Sequence, residues 1–170
     1  VKFYRKNSEL DCVIVRLANS YGQPIFGRAN CWSLFLNDIC RQAHFDKKII
    51  IKSDGQSYRN FVHFQDICKG VEKIINSDKY KQFVYNFCSK KSYRLIHIAK
   101  KVQKIFFELK NKKIPILINQ TELIENNILF NTLDQYSNWE AYRLGINFDY
   151  PLEKGIRDLF KYLDQFDEQN

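Results

Sequence analysis

The chain has 170 residues, enough for one domain that buries roughly two-thirds of its unfolded surface and too few for two ordinary ones. Hydrophobic residues make up 45% of it, yet no apolar run nears the roughly 18 to 20 residues of a membrane span, and the polar start VKFYRKNSELD lacks the apolar stretch of a secretory signal. A soluble, cytoplasmic globular chain is expected, and its net charge of +8 raises nucleic acid as a partner.

The chain opens on a helical pattern, residues 1–6. LDCVIVRLANSYG follows, with a continuous apolar run from Cys12 to Val15. That run predicts a strand buried on both faces, as in a parallel sheet covered by helices. NCWSLFLNDICRQAH places Trp32, Phe35, Leu36 and Ile39 on one helical face, with Asn30 as its expected N-cap. Strand KKIIIKS, a turn at Asp54-Gly55, strand YRNFVHF and helix QDICKGVEKIIN come next, with Asp66 in the first helical turn, where the macrodipole favours a negative charge. FVYNF reads as another strand.

Residues 90–113 then carry 9 basic side chains against 1 acidic, while residues 1–89 carry 14 against 8 and residues 114–170 carry 4 against 10. In this segment Leu95, Ile98, Ala99, Val102, Phe106 and Leu109 fall at helical spacing, with Lys100, Lys101 and Lys104 opposite. The spacing predicts a helix packed on a core with a solvated lysine face. No RNP, helix-turn-helix or zinc-finger pattern accompanies the charge, and arginine, the usual reader of base edges, is the minority cation. Strand IPILI, a weaker NILF and two helices, Trp139 to Leu144 and Leu152 to Leu163, complete an α/β pattern without repeats.

The five cysteines form no CxxC pair, so reduced, mostly buried thiols are expected rather than disulfides or zinc. His44, His63 and His97 lack metal or triad spacing. His63 reads as a structural residue at a strand-to-helix junction. A parallel strand at Cys12 to Leu17 needs neighbours that the sequence scarcely offers. The expected sheet is therefore incomplete, and a missing N-terminal portion would explain both this and the helical start.

The order VRLANSYGQP, IIIKSDGQSYRNFVHFQDICKGV, FVYNF, RLGINFDYPLEKGI resembles the second half of the extended short-chain dehydrogenase/reductase family, the NAD-dependent epimerases and dehydratases of nucleotide sugars. The likeness runs from about Asp11 to Leu159. It implies the last strands and helices of a Rossmann-type parallel sheet plus a small mixed α/β substrate-binding lobe, with residues 1–170 forming the C-terminal portion and the dinucleotide-binding half absent. It further implies NAD or NADP in the full-length parent, no cofactor for this chain alone, and a UDP-, dTDP- or GDP-sugar as ligand. The partner would be an N-terminal half or a second copy, not a membrane or a nucleic acid.

The chain has no glycine-rich pyrophosphate turn and no Tyr-x-x-x-Lys in a suitable place, so no catalytic, cofactor-binding or metal residue is assigned. What remains is substrate binding. By resemblance Arg59 contacts the diphosphate, which its planar fork suits; a salt bridge to Asp66 is the competing structural reading. Asn19 positions the sugar nucleotide, Asn30 offers a further contact, and Ile50, Lys52 and Phe61 line the base and ribose pocket. The chain departs from the family pattern at Asn60, which stands for aspartate, and in having no arginine between Arg94 and Arg143. The leading expectation is the substrate-binding part of such an enzyme, inactive alone. The alternatives are a non-catalytic sugar-nucleotide- or protein-binding remnant and a basic nucleic-acid-associated domain.

Overall fold

The computed structural model describes residues 1–7, 9, 12–26, 29–77, 83–118 and 138–167. In chain order the elements are α1 (Lys2–Asn7), β1 (Ile14–Leu17), β2 (Asn19–Tyr21), α2 (Phe35–Phe45), β3 (Ile49–Ile51), β4 (Tyr58–His63), α3 (Phe64–Ile75), β5 (Val84–Phe87), β6 (Ser92–Arg94), α4 (Leu95–Lys110), β7 (Ile116–Ile118), α5 (Trp139–Arg143) and α6 (Leu152–Asp167). The expected strand NILF lies outside the described residues.

The class is α/β, and parallel pairing dominates. β1 runs parallel to β5, β2 parallel to β4 and β3 parallel to β7; only β4 and β6 pair antiparallel. The turn at Asp54-Gly55 therefore joins strands of different sheets and makes no hairpin. β3 takes its partner from residues 116–118 and β4 from residues 19–21 and 92–94, pairings that local turn chemistry cannot specify.

Two apolar clusters meet at β4, because successive strand side chains point to opposite faces. Phe61 joins the larger cluster, with Tyr21, Leu36, Ile39, Ile49, Ile98, Val102, Phe106, Ile156, Leu159 and Phe160. Val62 joins the smaller one, with Ile74, Tyr85, Phe87, Ala141, Ile146 and Phe148. Burying each such side chain contributes about 1.5 to 3 kcal/mol. The larger core is closed by α2, α4 and α6. Glycine allows close approach: a Cβ on Gly155 in α6 would lie 2.6 Å from the Tyr21 ring, and one on Gly70 in α3 would lie 2.6 Å from Phe87.

Three expectations are corrected. Asn30 is not the N-cap of α2. A turn closed by Leu34 N–H on the Cys31 carbonyl uses the residues that periodicity gave to the helix, and Leu34 holds the cap position with no side-chain bond. Leu109 faces solvent, and Ile105 takes its place in the buried face of α4. β1 is not buried on both faces: Ile14 and Val15 are half-buried, while Arg16 and Leu17 are exposed. Among the described residues it pairs with β5 alone.

Three of the five cysteines are buried and all are free. Burial pushes the Cys88 thiol up to about 11 and the Cys40 thiol higher still. No group of His, Cys, Asp and Glu suited to a metal occurs among the described residues, nor any helix long and apolar enough to cross a membrane.

Candidate functional site

Strand register places the sequence candidates. Asn19 pairs with Phe61 across β2 and β4, and Arg59 pairs with Tyr93 across β4 and β6. Register partners share a sheet face, as do residues two apart on a strand. Asn19, Tyr21, Arg59, Phe61, His63 and Tyr93 therefore occupy one face. That face opens into a cleft of about 280 Å³, floored by Tyr21 and Phe61 and walled by Ser89, Lys90, Lys91 and Tyr93 on one side and the segment 148–152 on the other.

Arg59 is exposed beside this cleft. Its guanidinium reaches only the carbonyl of Tyr58, at 2.9 Å, and has no acidic partner among the described residues. The competing salt bridge to Asp66 is not formed: that carboxylate is buried and accepts the Tyr150 N–H at 3.0 Å. Burial holds the Asp66 carboxyl above the usual range, and the Tyr150 bond works against the shift. An exposed arginine with one donor on a neighbouring carbonyl keeps its remaining donors for a phosphate.

The other candidates divide. Asn19 donates its amide to the Asn60 carbonyl at 3.0 Å, which ties β2 to β4 beside Arg59. Phe61 is 4% exposed and does double duty, as a core residue against Tyr21 and Phe35 and as cleft floor. Ile50, Lys52 and Asn30 are not drawn into the cleft wall. The Ile50 N–H is used by the Gln42 side chain at 2.7 Å, Lys52 lies exposed just past β3, and Asn30 is exposed in the loop before α2.

His63 holds a junction, as its sequence position suggests. Its Nδ1 accepts the Gln65 N–H at 3.2 Å, capping α3, so the ring proton resides on Nε2. The ring stacks on Tyr150 with centroids 3.8 Å apart and meets Tyr21 edge-on at 5.1 Å. Burial pushes its pKa down to about 4; Lys154 and Lys69 push the same way, and Asp158 opposes them.

Several contributors were not singled out from sequence. Asn60 is 3% exposed; its Oδ1 accepts Ser89 N–H at 2.8 Å, while its Nδ2 donates to the carbonyls of Ser89 at 2.8 Å and Lys91 at 3.2 Å. An aspartate could not make those two donations. Tyr150 donates its hydroxyl to Asp158 at 2.6 Å and accepts from Lys154 at 2.8 Å, so this tyrosine and lysine, four residues apart, fasten α6 to the cleft wall. The signal for Lys90 and Lys91 was their place just after β5, the carboxyl edge where parallel sheets bind ligands.

Two lysines of the basic helix are paired with its neighbour α6. Lys101 bonds Glu153 at 2.7 Å, Lys110 bonds Asp164 at 2.6 Å, and Arg157 of α6 returns the contact to Glu108. Lys100 and Lys104 lie exposed, as expected of a solvated lysine face, while Lys101 and Lys110 reach acids of α6. A dinucleotide does not fit the residues present. Its pyrophosphate needs a glycine-rich strand-to-helix turn, and here Gly70 and Gly155 lie inside helices against Phe87 and Tyr21, with none of the 6 glycines in such a motif.

No curated protein matches the sequence. Among solved structures, UDP-glucuronic acid 4-epimerase from Bacillus cereus, in complex with UDP-glucuronic acid and NAD, aligns over 97% of this chain and 49% of its own, at 17% identity and a TM-score of 0.71. UDP-glucose 4-epimerase from Thermotoga maritima, with UDP-glucose, aligns over 97% and 50%, at 18% identity and a TM-score of 0.66. RMD from Pseudomonas aeruginosa, complexed with NADPH, aligns over 96% and 52%, at 12% identity and a TM-score of 0.72. The chain spans about half the length of the structures it matches, and the likeness is one of fold. The model of the NAD dependent epimerase/dehydratase family matches residues 1–88, just over half of the sequence and including β1, β2, β4 and Arg59, and the chain belongs to that family.

Proposed function

We propose that this chain is the substrate-binding part of an NAD-dependent nucleotide-sugar epimerase or dehydratase, and that it holds the diphosphate with Arg59. The observation that carries the reading is an arginine without an acidic partner among the described residues, on the same sheet face as an aromatic-floored cleft. Asn19 and Phe61 share that face; Asn30, Ile50 and Lys52, which lie outside the cleft wall, belong to the reading by resemblance alone. The ligand is a UDP-, dTDP- or GDP-sugar, and the UDP-sugars bound by the Bacillus and Thermotoga proteins favour the first. NAD or NADP belongs to a dinucleotide-binding portion, supplied along the edge of β1 that has no partner among the described residues; a second copy of the chain is the other candidate partner. The protein works in the cytoplasm. Alone it is inactive, because its residues do not fit a dinucleotide.

Calorimetric titration of the chain with UDP-glucose is the test. Wild type should bind, and Arg59→Ala should lose about 1.5 to 3 kcal/mol, the scale of a charged hydrogen bond. Arg59→Lys should recover part of the loss, since a point charge cannot reproduce the fork. Equal affinities for wild type and Arg59→Ala, or no saturable binding at all, would overturn the reading. NAD-dependent turnover of UDP-glucose by the chain alone would overturn its inactivity.

A further inference from the structure

A diphosphate ester carries about two negative charges over adjacent phosphates, and one guanidinium answers only part of that charge. The antiparallel register of β4 and β6 shows where a second cation stands. The pairs are Tyr58↔Arg94, Arg59↔Tyr93 and Asn60↔Ser92, and Lys91 is the residue directly before Ser92. Lys91 lines the cleft together with Phe61 and Tyr93. Arg59 lies in β4 and Lys91 directly precedes the strand paired with it, a separation of about one to two strand spacings. Long side chains converging from that separation can flank two linked phosphates.

The lysine's backbone is held in place. Asn60, adjacent to Arg59, donates to the Lys91 carbonyl and clamps both the N–H and the carbonyl of Ser89. One buried side chain thus fixes the spacing between the two cations. Lys91 carries no ion pair of its own among the described residues, and the preceding Lys90 instead sets its ammonium over the Tyr142 ring, 5.7 Å from the centroid. Two adjacent lysines of equal charge are therefore placed differently.

We infer that Lys91 is the second cationic contact to the diphosphate, opposing Arg59 across the β4–β6 pair, with Asn60 as the residue that positions it. This rests on the sugar-nucleotide reading above. Phe61 and Tyr93, which line the cleft, provide the apolar surface on which the nucleoside side of the ligand lies.

The experiment titrates wild type, Lys90→Ala, Lys91→Ala and Lys91→Arg with UDP-glucose and, as a phosphate-free control, with uridine. Lys91→Ala should bind UDP-glucose roughly tenfold more weakly at low salt, with a shallower dependence of affinity on salt, while its response to uridine is unchanged. Lys91→Arg should retain most of the affinity. Lys90→Ala, which removes the same charge from the adjacent position, should lose clearly less. All are exposed positions, and matching circular dichroism spectra would confirm intact folds. Unchanged UDP-glucose affinity in Lys91→Ala, equal losses in Lys90→Ala and Lys91→Ala, or an equal loss toward uridine would overturn the assignment. If Arg59→Ala weakens binding while Lys91→Ala does not, the lysine falls and the sugar-nucleotide reading stands; if wild type binds no UDP-glucose, both fall.

Discussion

The core closed by α2, α4 and α6 and the smaller core beneath β1 and β5 share the strand β4, and they differ in how their apolar side chains are covered. In the first, Leu36, Ile49, Ile98, Val102, Phe106 and Phe160 are all at 0% exposure. In the second, Phe87 and Ala141 are as deeply buried, but on its β1 side Val13 and Val15 are only partly buried and Leu17 is 50% exposed. The candidate cleft forms on the finished side, where three helices fix the strands. Recognition surfaces need rigid backing, and the larger core supplies it, while the β1 side keeps an apolar strand half in water.

The largest effect should come from the closed core. Phe160 packs on Phe106 with ring centroids 5.6 Å apart, and Phe160→Ala should lower unfolding free energy by about 3 to 5 kcal/mol in denaturant titration. A loss below about 1 kcal/mol would show that this core is no better packed than its neighbour.

Next comes the junction at His63. Its pKa is pushed from 6.5 down to about 4 in the folded chain, so between those values the unfolded chain binds the extra proton. Stability contributed by the neutral imidazole is complete above about pH 6.5 and is lost as pH falls toward 4, on the order of 2 kcal/mol. Asp66, with its carboxyl raised by burial, works in the opposite sense as pH falls, so the measurement is a difference. Unfolding curves from pH 7 to 4 for wild type and His63→Asn, which keeps a capping acceptor, should diverge in slope. Parallel curves would mean that the imidazole titrates normally.

The smallest effect should be at the open side. Leu17→Ser should change stability by no more than about 0.5 kcal/mol, the usual range for exposed sites. A loss above about 1.5 kcal/mol would mean that this face is covered in solution, and the contrast between the two cores would disappear.

Much of the architecture was legible because it is local. The 3.6-residue spacing of Ile98, Val102 and Phe106 marked α4, the apolar run at FVYNF marked β5, and Asp66 after β4 marked the start of α3. The likeness in residues 49–71 pointed to Arg59 and Phe61, and the register puts both on the cleft face. What escaped is long-range. Lys101 and Glu153 are 52 residues apart and Lys110 and Asp164 are 54 apart, so charge patterning showed a basic helix and an acidic tail but not their pairing. Asn60 read as a departure from a motif, because its bonds reach a loop about 30 residues on. The start of α2 was misplaced because a turn and a helix share the same apolar spacing at Trp32 and Phe35.

The strand β4 has one more consequence. Because Phe61 and Val62 are consecutive and anchor opposite cores, β4 cannot detach from one without vacating the other. The two halves should therefore melt as a single cooperative unit despite their unequal covering, and hydrogen exchange at the amides of β4 should report global opening alone. A ligand gripping Arg59 would then slow exchange in β1 and α4 alike, although neither lines the cleft.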